Sequence, residues 1–161
     1  MKKRIVVLNL IGAFCLLVLA GNAGAAVITF DDLETPGPGA TFLPDYSSDG
    51  FSFTSSYGYP DSFVSWNQDS PDYLESAALA SYFINDVITL AATGGELFTI
   101  NSMDLDLVFS NPGDTANVHF YAYDAGGTEV ADLSFDLRTQ GWHTVNFLDP
   151  GFTDIAYLQW Q

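Results

Sequence analysis

His119, Tyr121 and Tyr123 alternate along a run of strand character, and a period of two sets all three on one face. Rings in such a row can pack on the flat C–H faces of sugars, while polar neighbours such as Asp132 and Ser134 take the hydroxyls. The competing reading puts these rings on the packed side of a sandwich, or attributes them to β-propensity alone. Tyr57, Tyr59, Trp66, Asn67 and Tyr73 form a second aromatic and polar group of recognition-loop type, although Trp66 lies in a strand-like run and is equally a core residue. Asp31 and Asp32 are candidate ligands for Ca²⁺, a hard cation that needs several oxygens, backbone carbonyls included. Asp124 and Glu129 are a second carboxylate pair, and solvated turn carboxylates are the alternative for both. No segment has the spacing of an EF-hand loop.

Motifs for catalysis are missing. There is no Gly-x-Ser-x-Gly, no His-Glu-x-x-His and no phosphate-binding glycine loop. His119 and His143 are isolated, and the single thiol, Cys15, falls in a segment expected to be removed. Aspartate is so plentiful that no pair of carboxylates points to glycoside hydrolysis. A non-enzymatic role is the expectation.

These residues must be carried by short β-type runs separated by Gly, Pro, Asp and Asn. Strands are predicted at Val27–Phe30, Phe51–Thr54, Phe63–Trp66, Phe83–Ala91, Leu97–Phe109, Trp142–Phe147 and Ile155–Trp160, with a Pro/Gly-rich loop over Thr35–Pro44. One short helix is predicted from Ser70 to Leu79, capped by Ser70 with Pro71 in its first turn. Within the Leu97–Phe109 run, Phe98 and Ile100 occupy one parity and Met103, Leu105, Leu107 and Phe109 the other. A phase change of that kind requires a bulge or a new strand, here at Asn101-Ser102.

A hairpin turning at Gly126-Gly127 has the best-defined register. It pairs Ala122 with Ala131, Phe120 with Leu133 and Val118 with Phe135 on an apolar face. The opposite face pairs His119 with Ser134, Tyr121 with Asp132 and Tyr123 with Val130. An odd loop would oppose Phe120 to Asp132 and break this agreement. Eight or nine strands are expected, in an all-β, two-sheet β-sandwich of jelly-roll type.

Charge divides the chain. Lys2, Lys3 and Arg4 precede an apolar run from Ile5 to Ala20, then Ala23-Gly24-Ala25, and beyond it Arg138 is the one cation. Residues 1–25 read as a cleaved signal peptide, with an uncleaved anchor as the alternative; the run is short and interrupted by Asn9 and Gly12. Phe14 before Cys15 argues against lipidation. The remainder, 26–161, contains no cysteine and is expected to be one monomeric domain, secreted, at the cell surface or in the periplasm. Its charge excludes nucleic acid: the chain has 20 acidic residues against four Lys and Arg, a formal net charge of −16. With 48 % hydrophobic and 15 % aromatic residues it has the material for a core.

Val27-Ile28-Thr29-Phe30-Asp31-Asp32-Leu33 after such a leader, followed by Phe98-Thr99-Ile100-Asn101-Ser102-Met103-Asp104-Leu105, resembles the exported bacterial PEP-CTERM-type β-sandwich proteins. Trp142-His143-Thr144-Val145-Asn146-Phe147 and Ile155-Ala156-Tyr157-Leu158-Gln159-Trp160 continue in the same order. The resemblance implies a galactose-binding-like or carbohydrate-binding jelly roll, non-catalytic and associated with envelope or extracellular-matrix polysaccharide. It also implies structural calcium near the termini, at Asp31 or Asp32. The Pro-Glu-Pro tail of that group and its closing strand do not occur before Gln161. Either the protein is released, or the sequence stops short of its last strand and leaves an exposed edge. Polysaccharide binding through His119, Tyr121, Tyr123, Asp132 and Trp66 is the favoured expectation. A structural matrix protein without a small-ligand site is the alternative, and a polysaccharide-active enzyme is the third.

Overall fold

Among the described residues, strands make up nearly all of the regular secondary structure. The computed structural model describes residues 27–70, 78–83, 85–106, 115–138 and 141–161, so the expected signal peptide, residues 71–77 of the expected helix, Tyr73, Leu107 and Phe109 lie outside the described residues. The described residues are all-β, in three antiparallel sheets. The strands are β1 (Ala40–Leu43), β2 (Asp45–Ser48), β3 (Phe51–Ser55), β4 (Phe63–Trp66), β5 (Ala80–Ser81), β6 (Ile88–Ala92), β7 (Ser102–Leu105), β8 (Ala116–Tyr123), β9 (Glu129–Leu137), β10 (His143–Asn146) and β11 (Tyr157–Trp160). A six-stranded sheet runs β2-β3-β6-β11-β8-β9, a three-stranded one β1-β4-β5, and β7 pairs with β10.

Alternation along each strand of the large sheet separates an apolar face from a polar one. Phe120, Ala122, Leu158, Leu90 and Phe53 face inward and join Phe63 from β4, Val145 from β10, and Phe147, Phe152 and Ile155 in one core. Phe120 is fully buried, with its ring edge-on to Phe147 at 5.1 Å. The core therefore ties the large sheet to both small ones.

Several expected elements differ. Val27–Phe30 forms no strand; it leads into a 3₁₀ turn at Asp31–Leu33. A strand needs a neighbour to bond, whereas here the backbone bends at Phe30 and its ring packs on Tyr46 and Phe53, at 5.5 and 5.7 Å. The end of the predicted Thr35–Pro44 loop is strand β1, which pairs with β4. The strand expected from Phe83 begins only at Ile88, because Asn85 takes a left-handed φ of 62° and Asp86 turns its carboxylate inward. The expected helix ends in irregular backbone at Ala78 and Leu79, followed by the short strand β5.

The phase change at Asn101-Ser102 marks the start of a new strand. Phe98 bridges Ile155, and β7 starts at Ser102 against β10.

The hairpin keeps the expected pairs from Val118–Phe135 to Ala122–Ala131, but its turn is different. Asp124 O accepts from Gly127 N, Gly127 adopts φ 76°, and Asp124 N donates to Thr128 O. The loop thus has an odd length, and a bulge at Val130 restores the even register above it. Tyr123 consequently opposes Glu129 rather than Val130, and Asp124 opposes Thr128 rather than Glu129. Instead of facing a second carboxylate, Asp124 caps the turn by accepting from Gly126 N and Thr128 N.

Candidate functional site

Cross-strand partners share a face, so the pairing of β9, β8, β11, β6, β3 and β2 fixes what the large sheet shows outward. One row reads Asp132, Tyr121, Gln159, Thr89, Thr54, Asp45. The next reads Glu129, Tyr123, Tyr157, Ala91, Ser52, Ser47, and His119 opposite Ser134 begins a third. Hydroxyl, amide, carboxylate and aromatic groups make up nearly all of it.

The rings form an ordered row. His119 and Tyr121 lie near-parallel, 13° apart in plane with centroids 6.3 Å apart. Tyr123 stacks on Tyr157 at 4.6 Å and 13°. His119 is exposed, and Tyr121, Tyr123 and Tyr157 are half-buried. Burial raises the Tyr123 phenol above its ordinary pKa, and the nearby Glu129 carboxylate adds to this. A tyrosine ring offers a hydroxyl that can donate a hydrogen bond as well as a flat apolar surface.

Polar groups around the rings are held by one another. Gln159 Nε2 donates to Thr89 Oγ1 at 3.1 Å. Beyond His119, Ser134 Oγ donates to Asn117 Oδ1 at 3.0 Å and Asn117 Nδ2 to Asp136 Oδ1 at 2.6 Å. Arg138 Nη2 donates to Asp136 Oδ2 at 2.7 Å, and this bond, then that from Asn117, holds the Asp136 carboxyl below its ordinary pKa.

The structure brings together four of the residues singled out from the sequence: His119, Tyr121, Tyr123 and Asp132. Trp66 is elsewhere, buried in β4 opposite Ala40 of the three-stranded sheet. Asn67 is bound to the Pro38 carbonyl beside it. Tyr157 and Gln159 were missed, although alternation with the inward Leu158 and Trp160 was the available signal.

Asp31 and Asp32 sit exposed in the 3₁₀ turn. Asp32 Oδ1 accepts the Tyr46 hydroxyl, and among the described residues no third His, Cys, Asp or Glu joins the pair. A hard cation at this turn would need further oxygens, from backbone carbonyls or solvent, beyond these two carboxylates.

The Tyr46 phenol is pushed up to about 12, by burial first and by the Asp32 bond second. Because the folded pKa lies above the unfolded value of about 10, the stabilisation is complete below pH ~10 and is lost as pH rises toward ~12. Ultraviolet titration of the folded protein should show a tyrosine ionising near pH 12 that vanishes in Tyr46→Phe. An unchanged titration curve in that variant would contradict the assignment.

No protein-family model matches the chain, and a search of curated proteins finds no match. No described helix is long and apolar enough to cross a membrane.

Proposed function

We propose that this is an exported, non-enzymatic domain of jelly-roll type that binds a polysaccharide of the envelope or extracellular matrix on the outer face of its six-stranded sheet. The observation that carries the reading is two near-parallel ring pairs, His119 with Tyr121 and Tyr123 with Tyr157, half-exposed or exposed on a polar face and flanked by Asp132, Gln159 and Ser134. Sugar C–H faces stack on such rings, and the flanking groups exchange hydrogen bonds with hydroxyls. A purely structural role would call for the stripe to be covered, and the accessibility of His119 argues against that within the domain.

Charge narrows the ligand. Asp132 and Glu129 face Tyr121 and Tyr123 from β9, Asp136 lies further along that strand, and Arg138 is already paired with Asp136. A uronate-rich or sulfated chain would meet like charge, so the ligand is a neutral glycan.

Retention of residues 26–161 on immobilised neutral β-glucan, xylan and galactan, with Ca²⁺ and with chelator, tests this. The double substitution Tyr121→Ala/Tyr123→Ala should weaken retention about tenfold or more, or about 1.4 kcal/mol, without unfolding the domain. Equal retention of variant and parent, both shown to be folded, would remove the stripe from the site. Loss on adding chelator would bring a cation into the interface.

A further inference from the structure

Phe42, Tyr57, Tyr59 and Tyr82 are each between 45 and 52 % exposed, yet with Phe83 they form one connected cluster of rings. Phe83 is its hub, with centroids 5.1 Å from Tyr57, 5.4 Å from Tyr59 and 5.5 Å from Tyr82. Phe42 meets Tyr82 edge-on at 5.3 Å, and Tyr57 and Tyr59 lie within 16° of parallel. These rings come from β1, the β3–β4 connection and the segment after β5. None belongs to the rows on the outer face of the large sheet.

A buried polar frame fixes the segments that carry them. Asp86, 5 % exposed, accepts from Ser56 N at 3.1 Å and Ser56 Oγ at 2.9 Å through Oδ1, and from Ser81 Oγ at 3.0 Å through Oδ2. Ser56 precedes Tyr57, and Ser81 precedes Tyr82. Ser62, fully buried, receives the Tyr59 N–H on its hydroxyl at 2.9 Å, and its carbonyl receives the Tyr82 N–H at 2.9 Å. The rings are thus anchored from beneath while their faces stay in contact with solvent. Rigid rings on a hydrogen-bonded support are what a preorganised binding surface needs.

We propose that this cluster is a second glycan platform, so that one domain has two places for the neutral polysaccharide and can bridge two chains. The inference rests on the reading given above for the outer face. Three phenol hydroxyls, with no cation beside them among the described residues, suit a neutral, hydroxyl-rich ligand. A second copy of this chain is disfavoured as the occupant, because a formal net charge of −16 makes two copies repel. The same charge disfavours an anionic lipid surface.

Calorimetric titration of the 26–161 domain with a soluble neutral hexasaccharide of the retained glycan, together with turbidity on mixing with the intact polysaccharide, tests the proposal. Two equivalents are expected for the parent. Tyr59→Ala/Tyr82→Ala should bind one equivalent and stop cross-linking, and Tyr59→Phe/Tyr82→Phe, which keeps the rings and loses two hydroxyls, should keep two equivalents with a weaker second site. Tyr121→Ala/Tyr123→Ala should likewise retain one equivalent, now at the cluster. If Tyr59→Ala/Tyr82→Ala melts early, the single exposed change Tyr59→Ala gives the same readout as a lowered affinity at one of two sites. One equivalent in the parent, abolished by Tyr121→Ala/Tyr123→Ala and untouched by Tyr59→Ala, overturns the second platform and leaves the outer-face site standing. No binding of any neutral glycan by the folded parent overturns both.

Discussion

Phe120→Ala should cost about 4 kcal/mol, while Tyr121→Ala, one residue further along β8, should cost less than about 1 kcal/mol. Phe120 is fully buried between Phe147, at 5.1 Å, and Trp160, at 6.2 Å, so truncation removes transfer energy and leaves a cavity. Tyr121 stands on the other face, beside His119 and opposite Asp132, where solvent can fill the space. Urea unfolding of the two variants reads the difference directly, and the melting temperature of Phe120→Ala should fall by about 12 °C. The glycan results should run the other way, with Tyr121→Ala weakened and Phe120→Ala, below its melting point, close to the parent. Comparable destabilisation by both substitutions would mean that Tyr121 is packed against something, and would end the case for the outer face as a binding surface.

Asp86→Ala should cost about 2 kcal/mol. The carboxylate is nearly out of solvent and joins Ser56, at the end of β3, to Ser81 of β5, so it links two sheets. Without it Ser56 Oγ loses its acceptor, although Ser56 N keeps the Val87 carbonyl at 3.0 Å and Ser81 Oγ keeps that of Phe83 at 3.2 Å. Asp86→Asn preserves an acceptor for Ser56 and an amide donor for Ser81, and should recover about half of the loss. The aromatic cluster gives an independent readout, because Tyr57 and Tyr82 follow the two serines directly. In Asp86→Ala the affinity of that cluster should fall while binding at the outer face persists. A variant as stable as the parent would show that the buried bonds only balance the cost of burying the charge.

The large hairpin shows how far local pattern reaches. Val118, Phe120 and Ala122 alternate with His119, Tyr121 and Tyr123, and Ala131, Leu133 and Phe135 alternate in step, so one register alone puts every apolar pair on one face. The turn is less legible, because Asp124-Ala125-Gly126-Gly127 can close either an even loop or an odd loop followed by a bulge. Both keep the upper register, and they differ only in what faces Tyr123 and Asp124. Val27–Phe30 misled for a related reason: its apolar alternation suits a strand, but among the described residues it pairs with none, and Phe30 packs instead on Tyr46 and Phe53. Asp86 carried no signal among 20 acidic residues, since only long-range packing distinguishes a buried carboxylate from a solvated one.

By itself the sequence determined the all-β class, the two faces of β8 and β9, and the break between Ile100 and Met103, all of which follow from side-chain alternation within a few residues. Apart from the β8–β9 hairpin, tertiary structure alone decided which strands became neighbours. β11 lies between β6 and β8, which sets Tyr157 against Tyr123 and Gln159 against Tyr121 and completes the outer row. The three-stranded sheet and the Asp86 frame gathered Phe42, Tyr59 and Tyr82 from segments far apart in the chain. Period-two alternation says which way a side chain points and nothing about what stands beside it; that depends on pairing energies summed over distant segments, which no local pattern contains.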